Sequence, residues 1–236
     1  MSLVVRTWNV FHGNSVPPER SAFLEEMVRL VTADRPAIVC LQEVPVWALP
    51  RLDEWSAMTA FGAVAARPRV RSIGLARRIT DLHHGLLRSA VTGEANVVLV
   101  APDLVPREPR TEVIGTNGVR RVCQVVRVDE VGVVANFHAS GGPLADAQFR
   151  RAARFAEEIA GEEPVVLAGD ANIRPGDGDT YAELHDLGFS EPVPGSIDQV
   201  LVRGLPATSP DRWPEARRIV GGRVLSDHAP VELRVA

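Results

Sequence analysis

Leu3-Val4-Val5-Arg6-Thr7, running on into Trp8-Asn9, and Ala37-Ile38-Val39-Cys40-Leu41, running on into Gln42-Glu43, are the stretches whose reading decides the fold. Each is an apolar run of strand length that stops on side chains able to bind metal or phosphate. Between them, Glu19 to Thr32 sets Phe23, Met27, Leu30 and Val31 at helical spacing, with Pro17 and Pro18 just ahead, where a helix start tolerates proline. A strand–helix–strand unit of this length makes two parallel neighbours joined by a right-handed crossover.

Outward from that unit, Pro45 to Arg88 is the least regular region, rich in Arg, Ala and Pro. Strand-like runs follow at Asn96–Val100, Val119–Val128 and Gly132–Phe137, with a turn signal at Gly115-Thr116-Asn117-Gly118. Asp146–Ile159 has helical spacing, Val165–Ala168 reads as a buried strand, Thr180–Leu187 as a short helix and Ile197–Val202 as another strand. Arg218–Leu225 and Pro230–Val235 close the chain as strands. Strands outnumber helices and many are joined by short loops, so a mixed sheet or a pair of sheets is expected. At 236 residues one large domain over 1–236 is expected, with no internal repeat.

Composition removes several function classes. The net charge is −4, so no global basic field draws the chain to nucleic acid or anionic lipid. All 26 basic residues are arginine, which excludes a Walker A lysine and a Schiff-base lysine. No apolar run reaches the roughly 18–20 residues that span a bilayer. The N-terminus has no signal-peptide pattern, so the expected location is the cytoplasm. Cys40 and Cys123 sit in apolar runs and read as buried free thiols.

Polar side chains recur where strand runs stop. Asn9, Glu43, His138, Asp170 and Asn172 follow strands, whereas Asp198 and Asp227-His228 precede them. If the last two strands run antiparallel to the others, all these sites meet at one edge of the core, where α/β folds place ligands. The residue types suit Mg²⁺ or Mn²⁺, which want oxygen ligands, together with a phosphate ester that needs donors on its oxygens. Glu43, with Asn9 and Asp227, forms the candidate metal set. Asn172, His138 and His228 can donate to phosphate, and Asp170 can take a proton from water. Asp198 or Asp227 can hold a histidine in its useful tautomer.

Thr7-Trp8-Asn9, Leu41-Gln42-Glu43-Val44, Asn136-Phe137-His138, Gly169-Asp170-Ala171-Asn172, Ile197-Asp198-Gln199-Val200 and Ser226-Asp227-His228-Ala229-Pro230 together resemble the endonuclease/exonuclease/phosphatase superfamily, the DNase-I-like phosphoesterases. The resemblance implies a four-layer α/β sandwich, two packed mixed β-sheets with helices on the outer faces. It implies Glu43 as main metal ligand, with Asn9 beside metal and phosphate. Asp170 and Asn172 would position water and phosphate, and His138 and His228 would contact the phosphate. Asp227 would join the metal site or orient a histidine, and Asp198 would be the buried partner of a site histidine. Two departures stand out: Phe11 replaces the acid that some nuclease branches carry, and the Ser-Arg that often follows the segment matched by Glu94-Ala95-Asn96 is missing.

Taken singly, each motif has a bland reading; Asp170-Ala171-Asn172 alone is a turn or helix-cap element. Arg67, Arg69, Arg71, Arg77, Arg78 and Arg88, with His83 and His84, make a basic segment that reads as a phosphate-tracking flap or as a solvated surface. Trp47, Trp55 and Trp213 read as core or loop anchors rather than base-stacking platforms, and His12 and His185 as surface residues, with His12 close enough to Asn9 to touch substrate. The expectation is therefore metal-dependent hydrolysis of phosphate esters, foremost phosphodiester cleavage in nucleic acid. A small-molecule or lipid-headgroup phosphoesterase is the alternative within the class, and a catalytically inactive binding scaffold the alternative outside it. No obligate protein partner is implied.

Overall fold

The computed structural model describes residues 2–69, 72–82, 91–117 and 119–236. Its larger sheet orders β11 (Asp211–Arg212), β14 (Val231–Val235), β1 (Leu3–Asn9), β3 (Ile38–Val44), β5 (Glu94–Val100) and β4 (Thr59–Ala66). The second orders β10 (Asp198–Arg203), β9 (Val165–Asp170), β8 (Gly132–His138), β7 (Arg121–Val128) and β6 (Pro106–Gly115). A small third sheet joins β2 (Ser15–Val16), β12 (Ile219–Val220) and β13 (Arg223–Leu225).

The central strands are apolar on both faces, which marks strands covered on both sides. On β3, Ile38 and Cys40 enter the core between the two sheets, while Val39 and Leu41 face α1 (Leu24–Thr32). On β9, Val166 and Ala168 enter that same core, while Val165 and Leu167 face α4 (Ala145–Ala160). The fold is thus mixed α/β, two large mixed sheets face to face with helices packed outside. Buried polar side chains also cross the interior: Gln42 Nε2 donates to Thr7 Oγ1 (3.0 Å) and to Asn136 Oδ1 (2.8 Å), and Asn136 Nδ2 donates to the Leu41 and Val97 carbonyls. These bonds fix the register of one sheet over the other.

Strand directions supply the condition for convergence. β1 runs parallel to β3 and β8 parallel to β9, while β14 is antiparallel to β1 and β10 antiparallel to β9.

Several local expectations are corrected. The first helix begins at Leu24 rather than Glu19, because Ser15–Val16 pairs with β13 and the Phe23 N–H donates to the Gly13 carbonyl. The region from Pro45 contains a full strand, β4, and two helices, α2 (Leu52–Ser56) and α3 (Ile73–Leu82). The edge strand β6 lies in the charged stretch from Pro106, and Arg218–Leu225 is a hairpin turned at Gly221-Gly222 rather than one strand. The helix expected at Thr180–Leu187 is α5 (Thr180–Asp186). Arg71, His83, His84 and Arg88 lie outside the described residues.

Candidate active site

Backbone geometry assembles the site before any side chain acts. His138, Asp170 and Asp198 stand in one row across the second sheet, paired His138 with Asp170 and Asp170 with Asp198. Gly169 makes that row possible: its φ is +152° and a Cβ there would sit 2.0 Å from the Phe137 carbonyl oxygen. In the facing sheet, the pairing of β3 with β5 slips between Leu41 and Val44, and Glu43 sits inside the slip with φ +56°. Such an irregularity re-aims a side chain. Five of the eight non-glycine residues with positive φ among the described residues lie here: Phe11, His12, Glu43, Asn172 and Ser226. Strained backbone of this kind persists where surrounding structure over-determines it, and it clusters at functional sites.

The side chains converge on Asp170. Its Oδ2 accepts from Asn9 Nδ2 at 3.0 Å and lies 3.5 Å from His138 Nε2 and 3.9 Å from His228 Nδ1. Its Oδ1 accepts from the Asn172 backbone N–H at 2.9 Å. Burial and the neighbouring Asp198 charge raise the Asp170 pKa to about 7, inside the range useful to a general base. Asn9 Nδ2 also reaches Glu43 Oε1 at 3.3 Å.

Two histidines flank Asp170 with opposite partners. His228 Nδ1 meets both Asp198 oxygens at 2.9 and 3.0 Å. Burial opposes its charge, yet the Asp198 hydrogen bond and the charges of Asp198 and Asp170 raise its pKa to about 10. His138 Nδ1 instead faces Arg121 Nη1 at 2.8 Å. A guanidinium only donates, so His138 Nδ1 accepts and the proton sits on Nε2, the nitrogen facing Asp170 and Glu43. Burial, then the Arg121 charge, holds the His138 pKa well below its usual value. Arg121 is itself held by Glu94 Oε1 at 3.0 Å.

The Ser226-Asp227-His228 turn is fastened from below. Ser226 Oγ donates to the Asn9 carbonyl and accepts from the His228 N–H, Trp8 Nε1 donates to the His228 carbonyl, and buried Arg218 donates to the Leu225, Ser226 and His228 carbonyls.

The structure therefore brings together Asn9, Glu43, His138, Asp170, Asp198 and His228. Asn172 lies at their edge, its amide donating to the Ala139 carbonyl. Asp227 stands half-exposed at the mouth, its Oδ1 3.9 Å from His228 Nε2, so the histidine-holding carboxylate is Asp198. His12 is a correction. It is buried, not a surface residue, with Nε2 3.2 Å from Glu43 and 3.8 Å from Glu94. Glu94 and Arg121 were missed as site residues. Glu94 opens a strand run as an acid where apolar residues follow, which is a readable signal; Arg121 is one of many arginines and gives none. The tryptophans behave as anchors: all three are buried, and Trp47 and Trp213 donate to Thr80 and Glu232.

The donor set fits a hard divalent cation. Glu43 is a largely buried carboxylate whose pKa burial raises, with the Asp227 charge adding to the strain on its ionised form. A cation relieves that cost, and Glu43 and Asp227 offer it carboxylate oxygens; Asn9 accepts the Phe11 N–H on its Oδ1 and turns its Nδ2 to Glu43, so it stands beside the cation as a positioning amide rather than as a ligand. Asp170, Asp198 and His228 also form a compact cluster, but His228 Nδ1 is already committed to Asp198, which makes it a hydrogen-bonded relay rather than a cage.

Carboxylates, amides and imidazoles thus gather at one edge of two facing mixed sheets, the arrangement of a phosphoesterase-type fold. The model of the Endonuclease/Exonuclease/phosphatase family matches residues 7–228, and the chain belongs to that family. No curated protein matches the sequence. Among solved structures, an endonuclease/exonuclease/phosphatase from Beutenbergia cavernae is similar at TM-score 0.72 and 18% identity, over 99% of this chain and 71% of that one. A mannosyl-6-phosphatase from Bacteroides thetaiotaomicron is similar at TM-score 0.70 and 15% identity, over 99% of both chains. TDP2 from Caenorhabditis elegans is similar at TM-score 0.64 and 16% identity, over 100% of this chain and 75% of that one. At such identities the likeness concerns the fold.

Proposed function

We propose that the protein hydrolyses phosphate esters by in-line attack of water, with Mg²⁺ or Mn²⁺ held by Glu43 and Asp227 beside Asn9, and that its foremost substrates are phosphodiesters of nucleic acid. The observation that carries this is the meeting at Asp170 Oδ2 of Asn9, His138 and His228, side chains separated by as many as 219 positions in the chain (228 − 9). Asp170 takes a proton from water as the oxygen attacks phosphorus and the ester P–O bond breaks. Asn9 fixes the Asp170 carboxylate, and the Asn172 N–H occupies its other oxygen. His228, held charged by Asp198 through Nδ1, keeps its Nε2–H for the phosphate or leaving-group oxygen, and neutral His138 keeps its Nε2–H beside Asp170 and Glu43, where phosphate and water would meet. The metal, when bound, supplies Lewis-acid stabilisation of the phosphoryl charge.

The nucleic-acid form of this reading is supported by the start of the basic segment. Ala66 at the end of β4 pairs with Glu94, so exposed Arg67 and Arg69 leave the sheet at the edge that carries the site. The phosphatase form is supported by the burial of all three candidate stacking tryptophans, which leaves no such platform for a base. Purified protein assayed on plasmid, single-stranded RNA and bis-p-nitrophenyl phosphate separates them. Turnover should vanish with EDTA and return with Mg²⁺ or Mn²⁺. If only the small ester is cleaved, the nuclease form fails. Persistence of turnover in EDTA counts against the metal. For a nuclease, Arg67→Gln with Arg69→Gln should flatten the dependence of log KM on log salt by about one unit per lost phosphate contact.

A further inference from the structure

Beside His228 lies a cleft of about 320 Å³ whose lining includes Arg174, Ser196, Arg212, Asp227 and His228. Arg174 belongs to the loop after Asp170-Ala171-Asn172, and its Nε–H is tied to the Gly195 carbonyl at 3.3 Å, which lays the side chain across the cleft rim. Arg212 comes from the short edge strand β11, paired with Val231 just past the Ser226-Asp227-His228 turn. No carboxylate among the described residues lies within ion-pair distance of either guanidinium. The Asp198 carboxylate at the cleft floor is already satisfied by His228. Two arginines are thus set against Asp227 alone, the residue assigned above to the metal. Among the described residues no Phe, Tyr or Trp lines the cleft, so they offer no aromatic stacking surface for a base. Guanidiniums without a protein counter-ion that line one small polar hollow suit phosphate oxygens in charge and in their capacity for bidentate hydrogen bonds.

We propose that this cleft is the subsite for a second phosphate of the substrate, next to the one being hydrolysed, with Arg174 and Arg212 as its specificity-determining residues. The proposal rests on the phosphoesterase reading above. The second phosphate belongs either to the neighbouring nucleotide of a nucleic acid or to a small bisphosphorylated ester; the chemistry recognised is the same.

Three arms test it on the whole chain with Mn²⁺. Phosphate release from glycerol 1,3-bisphosphate is compared with release from glycerol 1-phosphate. Cleavage of a thymidine oligonucleotide is compared with that of the same oligomer carrying one neutral methylphosphonate linkage beside the scissile one. Each comparison is repeated in Arg174→Gln, Arg212→Gln and the double variant, with circular dichroism to confirm folding. The second phosphate should raise kcat/KM about 10- to 100-fold, mainly through KM, and the double variant should collapse that ratio to about one. Preference in the oligonucleotide arm alone identifies the source as nucleic acid, and in the glycerol arm alone as a small ester. Absence of preference in both arms, or a preference that survives the double variant, overturns the subsite while turnover itself leaves the phosphoesterase reading standing. Should the wild type hydrolyse nothing, the thermal shift with inorganic pyrophosphate decides: a rise in Tm lost in the double variant keeps the subsite and sinks the hydrolase reading, whereas an unchanged rise or none sinks the subsite too.

Discussion

His138 and His228 stand on either side of one carboxylate, are both largely buried, and are set to opposite charge states by what lies behind them. Asp198 accepts from His228 and favours the imidazolium; Arg121 donates to His138 and permits only neutral imidazole with the proton on Nε2. Burial lowers both pKa values, and a carboxylate reverses that for one while a guanidinium adds to it for the other. The comparison teaches that charge in this pocket is specified from the non-reacting side of each ring. At neutral pH the site then holds a cationic donor, a neutral donor and a base near its own titration midpoint.

The severest way to break the comparison is to remove the carboxylate that both rings address. Asp170→Asn keeps the size and the Asn9 contact but cannot take a proton, and kcat should fall about 10²- to 10⁴-fold. A loss under threefold, with metal binding retained, would falsify its role as base. His228→Ala should fall in the same range, since it also removes a charged donor.

Replacing the partner behind each ring is next in size. Asp198→Asn should cost about 100-fold in kcat and bring the His228 pKa down from about 10, whereas Arg121→Gln should cost about 10-fold and raise that of His138. Imidazole proton chemical shifts followed against pH read both effects. Movement of the two values in the same direction would remove the asymmetry.

The pH–rate profile follows from the same charges. Asp170 acts only when ionised, so kcat/KM in wild type should rise as pH climbs through about 7, where burial and Asp198 hold its pKa. His228 loses its proton only near pH 10, so the alkaline limb should be far away. An acid limb near pH 4 at saturating metal would mean that the bound cation, rather than Asp198, sets the Asp170 titration.

Much of this site was legible in the sequence because its residues sit where strand runs stop, and strands covered on both faces announce themselves as unbroken apolar runs. Asn9, Glu43, His138 and Asp170 could be placed by that rule alone. The strands it missed are edge strands: Thr59–Ala66 is Ala-rich with one Gly, and Pro106–Gly115 is charged and half exposed, so neither carries the apolar signal. His12 and Arg121 were illegible for a different reason. His12 enters the site through a turn with positive φ at Phe11 and His12, and Arg121 through a cross-strand contact between residues 17 positions apart; neither leaves a periodic trace. The direction of the Asp198 and His228 strands had to be assumed from sequence order, and the antiparallel pairing of β10 and β14 supplies it.

A further effect lies in stability, and there the two histidines should carry opposite signs. The folded His228 pKa, about 10, exceeds the unfolded value of about 6.5. Its contribution is fully present below pH 6.5 and drains away as pH rises toward 10, by at most about 1.4 kcal/mol per pH unit. His138 is depressed instead, so the folded state fails to take a proton that the unfolded chain binds, and it costs stability only as pH falls below about 6.5. Urea unfolding of metal-free protein at pH 5, 7 and 9.5 separates them. Asp198→Asn should flatten the loss between pH 7 and 9.5. Between pH 7 and 5 His138 lowers stability while Asp170, whose folded pKa of about 7 exceeds its unfolded value of about 3.8, raises it, so His138→Gln should shift that interval toward a net gain in stability. If His138→Gln left the change between pH 7 and 5 as in wild type, the buried neutral imidazole would not be what costs stability there.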